Sequence, residues 1–139
     1  MSWVFWALLS AVFAAATALL AKIGVAHVDS NLAMAVRTSV VLVFAWGFFL
    51  FLGKPADLFR LDRRTLLFLV LSGLATGLSW LCYFRALQMG PASRVAPIDK
   101  LSVPLVMLFA CLLLGEKLTP MALLGGLLIS AGAVIMVLA

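Results

Sequence analysis

Charge is scarce in this sequence. Only 11% of its 139 residues are Asp, Glu, Lys or Arg, against about 25% in soluble domains. A chain this short has a large surface for its volume, and ten basic with five acidic side chains cannot cover it in water. A soluble globule is excluded. Ligand chemistry is scarce too. His27 is the lone histidine and has no partners at metal-ligand spacing, so neither a metal nor any other cofactor is expected. Cys82 and Cys111 both fall within apolar runs and read as small packing residues rather than a disulfide. There is no GxxxxGK(S/T) phosphate loop, no HExxH and no Ser–His pair. An enzyme is therefore not expected, and nucleotide hydrolysis would not drive this chain directly. The opening MSWVFWALLS lacks the basic start of a secretory signal, so it is expected to remain as part of a helix.

Hydrophobicity is what the sequence has in excess. Apolar residues make up 66% of it, and mean hydropathy is +1.26. A membrane helix needs about 20 mostly apolar residues to cross about 30 Å of hydrocarbon. Five runs meet that length, at residues 2–21, 32–52, 65–84, 94–114 and 120–139. Strands are excluded, because an open sheet edge does not sit in lipid and the runs lack the alternation of a barrel strand. The breaks carry turn chemistry. Asp29-Ser30-Asn31 offers N-cap residues to the second helix. Gly90-Pro91 and the stretch from Gly115 to Pro120 put glycine at a helix exit and proline at or near the next entry.

The net charge of +5 would suggest nucleic acid in a soluble protein. Here it reads as basic loops retained on the cytoplasmic face, with no nucleic-acid partner. Lys54, Arg60, Arg63, Arg64 and Lys117 fall on the N-terminal side, and Lys22, Arg85 and Arg94 on the opposite side. That difference favours a cytoplasmic N-terminal side by a margin small enough to permit insertion in both orientations. An odd number of spans puts the two termini on opposite faces. A second, inverted copy would then complete the inverted repeat common in secondary transporters.

The second half of the chain carries a family pattern. Trp80-Leu81-Cys82-Tyr83-Phe84-Arg85-Ala86-Leu87 leads to Gly90-Pro91-Ala92-Ser93, then to Val95-Ala96-Pro97-Ile98 and Pro104. Leu114-Gly115-Glu116-Lys117-Leu118-Thr119-Pro120, Gly125 and Gly132 follow, and Arg37 matches early in the second helix. The chain resembles the EamA-type repeat of the drug/metabolite transporter superfamily, over essentially its whole length. Most members carry two repeats in ten helices, whereas this sequence has one. It looks like the short single-repeat branch, in which Asp99-Lys100 follows Ala96-Pro97-Ile98. The resemblance implies an all-α membrane protein. Its five transmembrane helices would form one EamA-like repeat, a single domain over residues 1–139 assembled as a dimer. It also implies a multi-pass permease of a prokaryotic inner (plasma) membrane. It supplies no substrate.

The charges that fall inside the runs are the candidate site. Each ionised group in a membrane helix costs about 2.5–3.5 kcal/mol on insertion scales and usually faces the bundle interior. Arg37, Asp99 and Lys100 qualify. Arg37 is five residues past Leu32, and Asp99 is five past Arg94, so both lie roughly 7–8 Å inside the same boundary. Equal depth and opposite sign predict an Arg37–Asp99 ion pair, with Lys100 turned toward a cavity or a second subunit. Ser79, Trp80 and Tyr83 on the third helix reach a similar level. Pro97 and Pro104 bracket Asp99-Lys100 and predict a kink or partial unwinding, as in the broken helices of transporter sites. The competing reading is a structural clamp, or long side chains that snorkel to the boundary.

Three charges summing to +1 suit an anion or a zwitterion. The first run has no acidic residue, unlike small multidrug-resistance exporters, whose cation site resembles a glutamate on the first helix. Asp99 is the only acid deep in a run and so the single candidate proton carrier. On the last run, Ala122, Gly126 and Ser130 form a small-residue row. Gly126 and Ser130 are the expected dimer contact. The functional expectation is a secondary transporter of a small metabolite, working by alternating access in a ten-helix homodimer, parallel or antiparallel. The alternative is a non-transporting membrane partner, or half of a heteromeric lipid or metabolite carrier.

Overall fold

A computed structural model describes residues 2–53 and 61–138. The second loop, with Lys54, Asp57 and Arg60, lies outside the described residues. Six helical segments run in order: α1 (Trp3–Gly24), α2 (Ser30–Leu52), α3 (Arg63–Met89), α4 (Ala92–Asp99), α5 (Ser102–Leu114) and α6 (Pro120–Leu138). Segments α4 and α5 share one 23-residue stretch, so five helices are long and apolar enough to cross a membrane. No strand occurs among the described residues. Large apolar side chains stay exposed along every span, including Phe13, Phe44, Leu69, Leu113 and Leu127. For a chain of this composition, such exposure defines a multi-pass integral membrane protein.

The helix ends follow the local chemistry. Asp29 caps α2, its Oδ1 accepting from the Asn31 N–H at 2.9 Å and the Leu32 N–H at 3.2 Å. Asp62 does the same for α3 through the Thr65 N–H at 3.3 Å. Those hydrogen bonds from Thr65 hold the exposed Asp62 carboxyl below its ordinary pKa. Thr119 Oγ1 accepts from the Ala122 N–H at 3.2 Å, and Pro120 opens α6, where its missing donor goes unmissed. Segment α5 ends at Gly115, in the left-handed region at φ 69°, with its N–H and that of Glu116 turned back onto the Ala110 carbonyl. A Cβ there meets nothing within 4 Å, so any penalty is purely one of backbone. Gly115→Ala is expected to destabilise the fold by about 1–2 kcal/mol, measured as a lower thermal unfolding midpoint in detergent.

Two spans, α1 and α3, run three or more residues past their sequence-derived ends. Helix α1 reaches Gly24 rather than Ala21. Helix α3 reaches Met89 rather than stopping near Phe84. Arg85 to Met89 are all good helix formers, and the stop comes only at Gly90-Pro91. Arg85 and Arg94 therefore lie within helices, and Lys22 lies in α1, so none of these three is a loop charge. Cys82 and Cys111 are free and exposed on their helices rather than packed.

The chain divides into two compact units, residues 21–88 and residues 1–20 with 89–139. In the first, Ala21, Val25, Ser30, Phe84 and Leu87 are buried. Lys22 Nζ donates to the Leu87 carbonyl, and Gln88 Nε2 donates to the Val28 carbonyl at 2.7 Å. These bonds tie the α1–α2 turn to the end of α3 and satisfy one of the carbonyls that every helix C-terminus leaves open. In the second unit, α6 packs on both α4 and α5. Gly126 is the close-approach point. A Cβ placed there would lie 3.2 Å from the Met107 sulfur and 3.9 Å from the Pro104 Cβ. Ser130 Oγ donates to the Gly126 carbonyl at 2.9 Å. This part of the small-residue row brings α6 against α5 of its own chain.

Candidate functional site

Two features carry the chemistry, one in each unit. The first is the interrupted span. Pro104 has no N–H for the Lys100 carbonyl four residues earlier, so a continuous helix would leave that carbonyl unpaired in an apolar setting. The chain resolves this with a single tight turn. The Lys100 N–H bonds the Pro97 carbonyl at 3.1 Å, that of Leu101 bonds Ile98 at 2.9 Å, and that of Val103 bonds Lys100 at 3.0 Å. All three span three residues rather than four, the 3₁₀ pattern. Pro104 becomes the third residue of α5, within the first turn, where backbone donors have no helical partner anyway. The partial unwinding expected between the two prolines is therefore present, centred on Lys100-Leu101.

Asp99 and Lys100 stand at this break. Lys100 Nζ lies 3.5 Å from Asp99 Oδ2, and both side chains remain partly accessible. Asp99 is seven residues past Ala92, about 10 Å along the axis at 1.5 Å per residue. The pair is thus well inside the span and still has exposed polar atoms. An ion pair in that position can exchange partners with an entering charged molecule.

The second feature is Arg37. Its guanidinium carbon lies 4.1 Å from the centre of the Trp80 ring and 5.6 Å from that of Phe84, both within cation–π range. Trp80 and Phe84 are four residues apart on α3 and so share a face. Tyr83 lies within electrostatic reach of the same guanidinium. Arg37, Trp80 and Tyr83 are half-buried, and Phe84 is fully buried. Ser79 is exposed and enters none of these contacts. Sequence reasoning assembled Arg37, Trp80 and Tyr83 at one level but missed Phe84. The signal was available in the four-residue spacing from Trp80. It also missed the Lys22 and Gln88 ties, which depend on where the first turn folds. No cluster of three or more metal-ligand side chains occurs among the described residues.

The chain belongs to the EamA-like transporter family, whose pattern matches residues 1–138. It is 53% identical over 135 residues to a Sinorhizobium protein named "Uncharacterized transporter in cobO 3'region", covering 97% of this chain and 96% of that one. No solved structure matches the chain. Family and relative both point to a transporter rather than an enzyme.

Proposed function

We propose that this protein is a secondary transporter of a small anionic or zwitterionic metabolite in a prokaryotic inner membrane, working by alternating access as a ten-helix homodimer. The observation that carries the reading is the broken fourth span with the Asp99–Lys100 pair at its break. Interrupted helices with charged or polar groups at the interruption are how many secondary transporters bind cargo near the midplane. Lys100 receives the anionic group, and Asp99 is released from Lys100 to take up a proton or a cationic group of a zwitterion. The single 3₁₀ turn lets α4 and α5 move as two rods.

A five-span chain offers one repeat, and a second copy supplies the other. An antiparallel partner reproduces an inverted repeat directly. The dimer contact is proposed along α6 at Ser130, since Gly126 is taken up by Met107 and Pro104 of its own chain. Family membership and the transporter-named relative support the transport reading. The test is uptake by the purified chain alone in proteoliposomes. A panel of amino acids, carboxylic acids and sugar phosphates is used, with a quaternary ammonium ion as control. Gradient-dependent uptake of anions or zwitterions is expected, with none of the ammonium ion. Uptake that requires a second, different polypeptide would sink the homodimer and favour a heteromeric carrier.

A further inference from the structure

Within residues 21–88, burial is confined to one end. Ala21, Val25, Ser30, Phe84 and Leu87 all stand at the α1–α2 junction or in the last two turns of α3. Among the described residues from Thr38 to Thr76 none is buried. A Cβ placed on Gly47 or Gly73 would meet nothing within 4 Å.

Side chains bonded to the main chain hold the closed end. Lys22 Nζ donates to the Leu87 carbonyl, and Gln88 Nε2 donates to the Val28 carbonyl at 2.7 Å. Arg85 donates to Gln88 Oε1 at 3.3 Å, which leaves the amide nitrogen for Val28. The Lys22 ammonium also meets a helix C-terminus, where a cation is favoured. Among the described residues, no backbone–backbone hydrogen bond joins the α1–α2 turn to α3. Both accepting carbonyls stand at element ends, Leu87 in the last turn of α3 and Val28 just before α2. Water can take the place of the departing donors there. A small packed cluster with such ties is suited to local opening, because little else along α2 and α3 resists it.

We propose that Lys22 and Gln88 are a releasable latch that closes this end of the α2–α3 pair, on the membrane face opposite the N-terminus, and that transport requires it to open. This rests on the transport reading above and supplies one of the two gates that alternating access needs. The latch stands between that face and the level of Arg37 on Trp80. Leu87 follows Trp80 by seven residues, about 10 Å along α3.

The reporter is Val25→Cys, a small thiol at a position only 2% exposed, in the full chain with Cys82→Ala and Cys111→Ala. Its modification by a water-soluble maleimide is timed in nanodiscs. Slow labelling is expected with the latch intact, and labelling at least tenfold faster with Lys22→Met and Gln88→Leu together. Fast labelling with the latch intact, or no acceleration without it, would overturn the latch. If the double variant does not fold, Gln88→Ala alone should raise the rate severalfold, and an unchanged rate there is equally decisive. A second arm tests opening during transport. In the same cysteine-free background, Val28→Cys and Gln88→Cys are bridged by a bifunctional methanethiosulfonate in proteoliposomes. Uptake of labelled alanine, lactate and glucose 6-phosphate is then measured. Bridging is expected to abolish uptake, and reduction of the bridge to restore it. Undiminished uptake by the bridged chain would make the contact a permanent clamp and overturn the gate. Faster labelling in the double variant, with no uptake of any of the three compounds by the native chain, would remove the transport reading and leave the latch.

Discussion

Lys100→Met is expected to lower the apparent affinity for an anionic substrate by about tenfold to a hundredfold and to bring uptake near background at low substrate concentration. A hydrogen bond to a charged group contributes about 1.5–3 kcal/mol when both partners are removed from water, and each 1.4 kcal/mol is tenfold in affinity. Methionine keeps the length and apolar stem of lysine, so packing around the break should survive. Lys100 Nζ lies 3.5 Å from Asp99 Oδ2. The substitution therefore leaves Asp99 as an unbalanced acid inside a span, which repels an entering anion as well. Asp99→Asn is expected to reduce uptake by removing the only acid deep in a span among the described residues, and with it the proton site. Concentration-dependent uptake in proteoliposomes checks both, with circular dichroism to show that the variants fold. Wild-type uptake in both variants would remove the broken span from the mechanism.

Pro104→Ala is expected to stabilise the protein while slowing transport by tenfold or more. The break exists because residue 104 cannot donate to the Lys100 carbonyl, which turns to Val103 instead. Alanine restores that donor and permits one continuous helix from α4 into α5. Proline is about 3 kcal/mol worse than alanine in a helix interior, so the healed helix has a clear advantage over the interrupted one. Alanine also retains the Cβ that would lie 3.9 Å from a Cβ placed on Gly126, which keeps the α5–α6 contact intact. Slower amide hydrogen exchange at Lys100 to Leu105 and a higher unfolding midpoint are the structural readouts. Faster or unchanged exchange there would mean that something other than Pro104 holds the break open.

Much of the fold was legible because its determinants are local. A run of about 20 apolar residues can be read without knowing its neighbours. The ends were legible where one residue sets them, as at Asp29, Gly115 and Pro120. They were not where a good helix-forming tail ran on past the apolar stretch, as from Arg85 to Met89. The candidate site was legible in part. Two prolines bracketing two charges marked the break, because proline acts on its own backbone. The partners of Arg37 were harder to read, because they depend on which way α3 is turned about its axis.

From its sequence alone, this chain is determined to be a five-span helical membrane protein of the EamA-like family with a weakened fourth span. Scarce charge and backbone chemistry are properties of residues taken singly. Only the tertiary structure decided that Trp80 and Phe84 hold Arg37, that Lys22 closes the end of α3, and that Gly126 receives Met107. The physical reason is rotational phase. Helices that are apolar nearly all round carry little pattern to say which face turns inward, so the phase is set by packing against other helices.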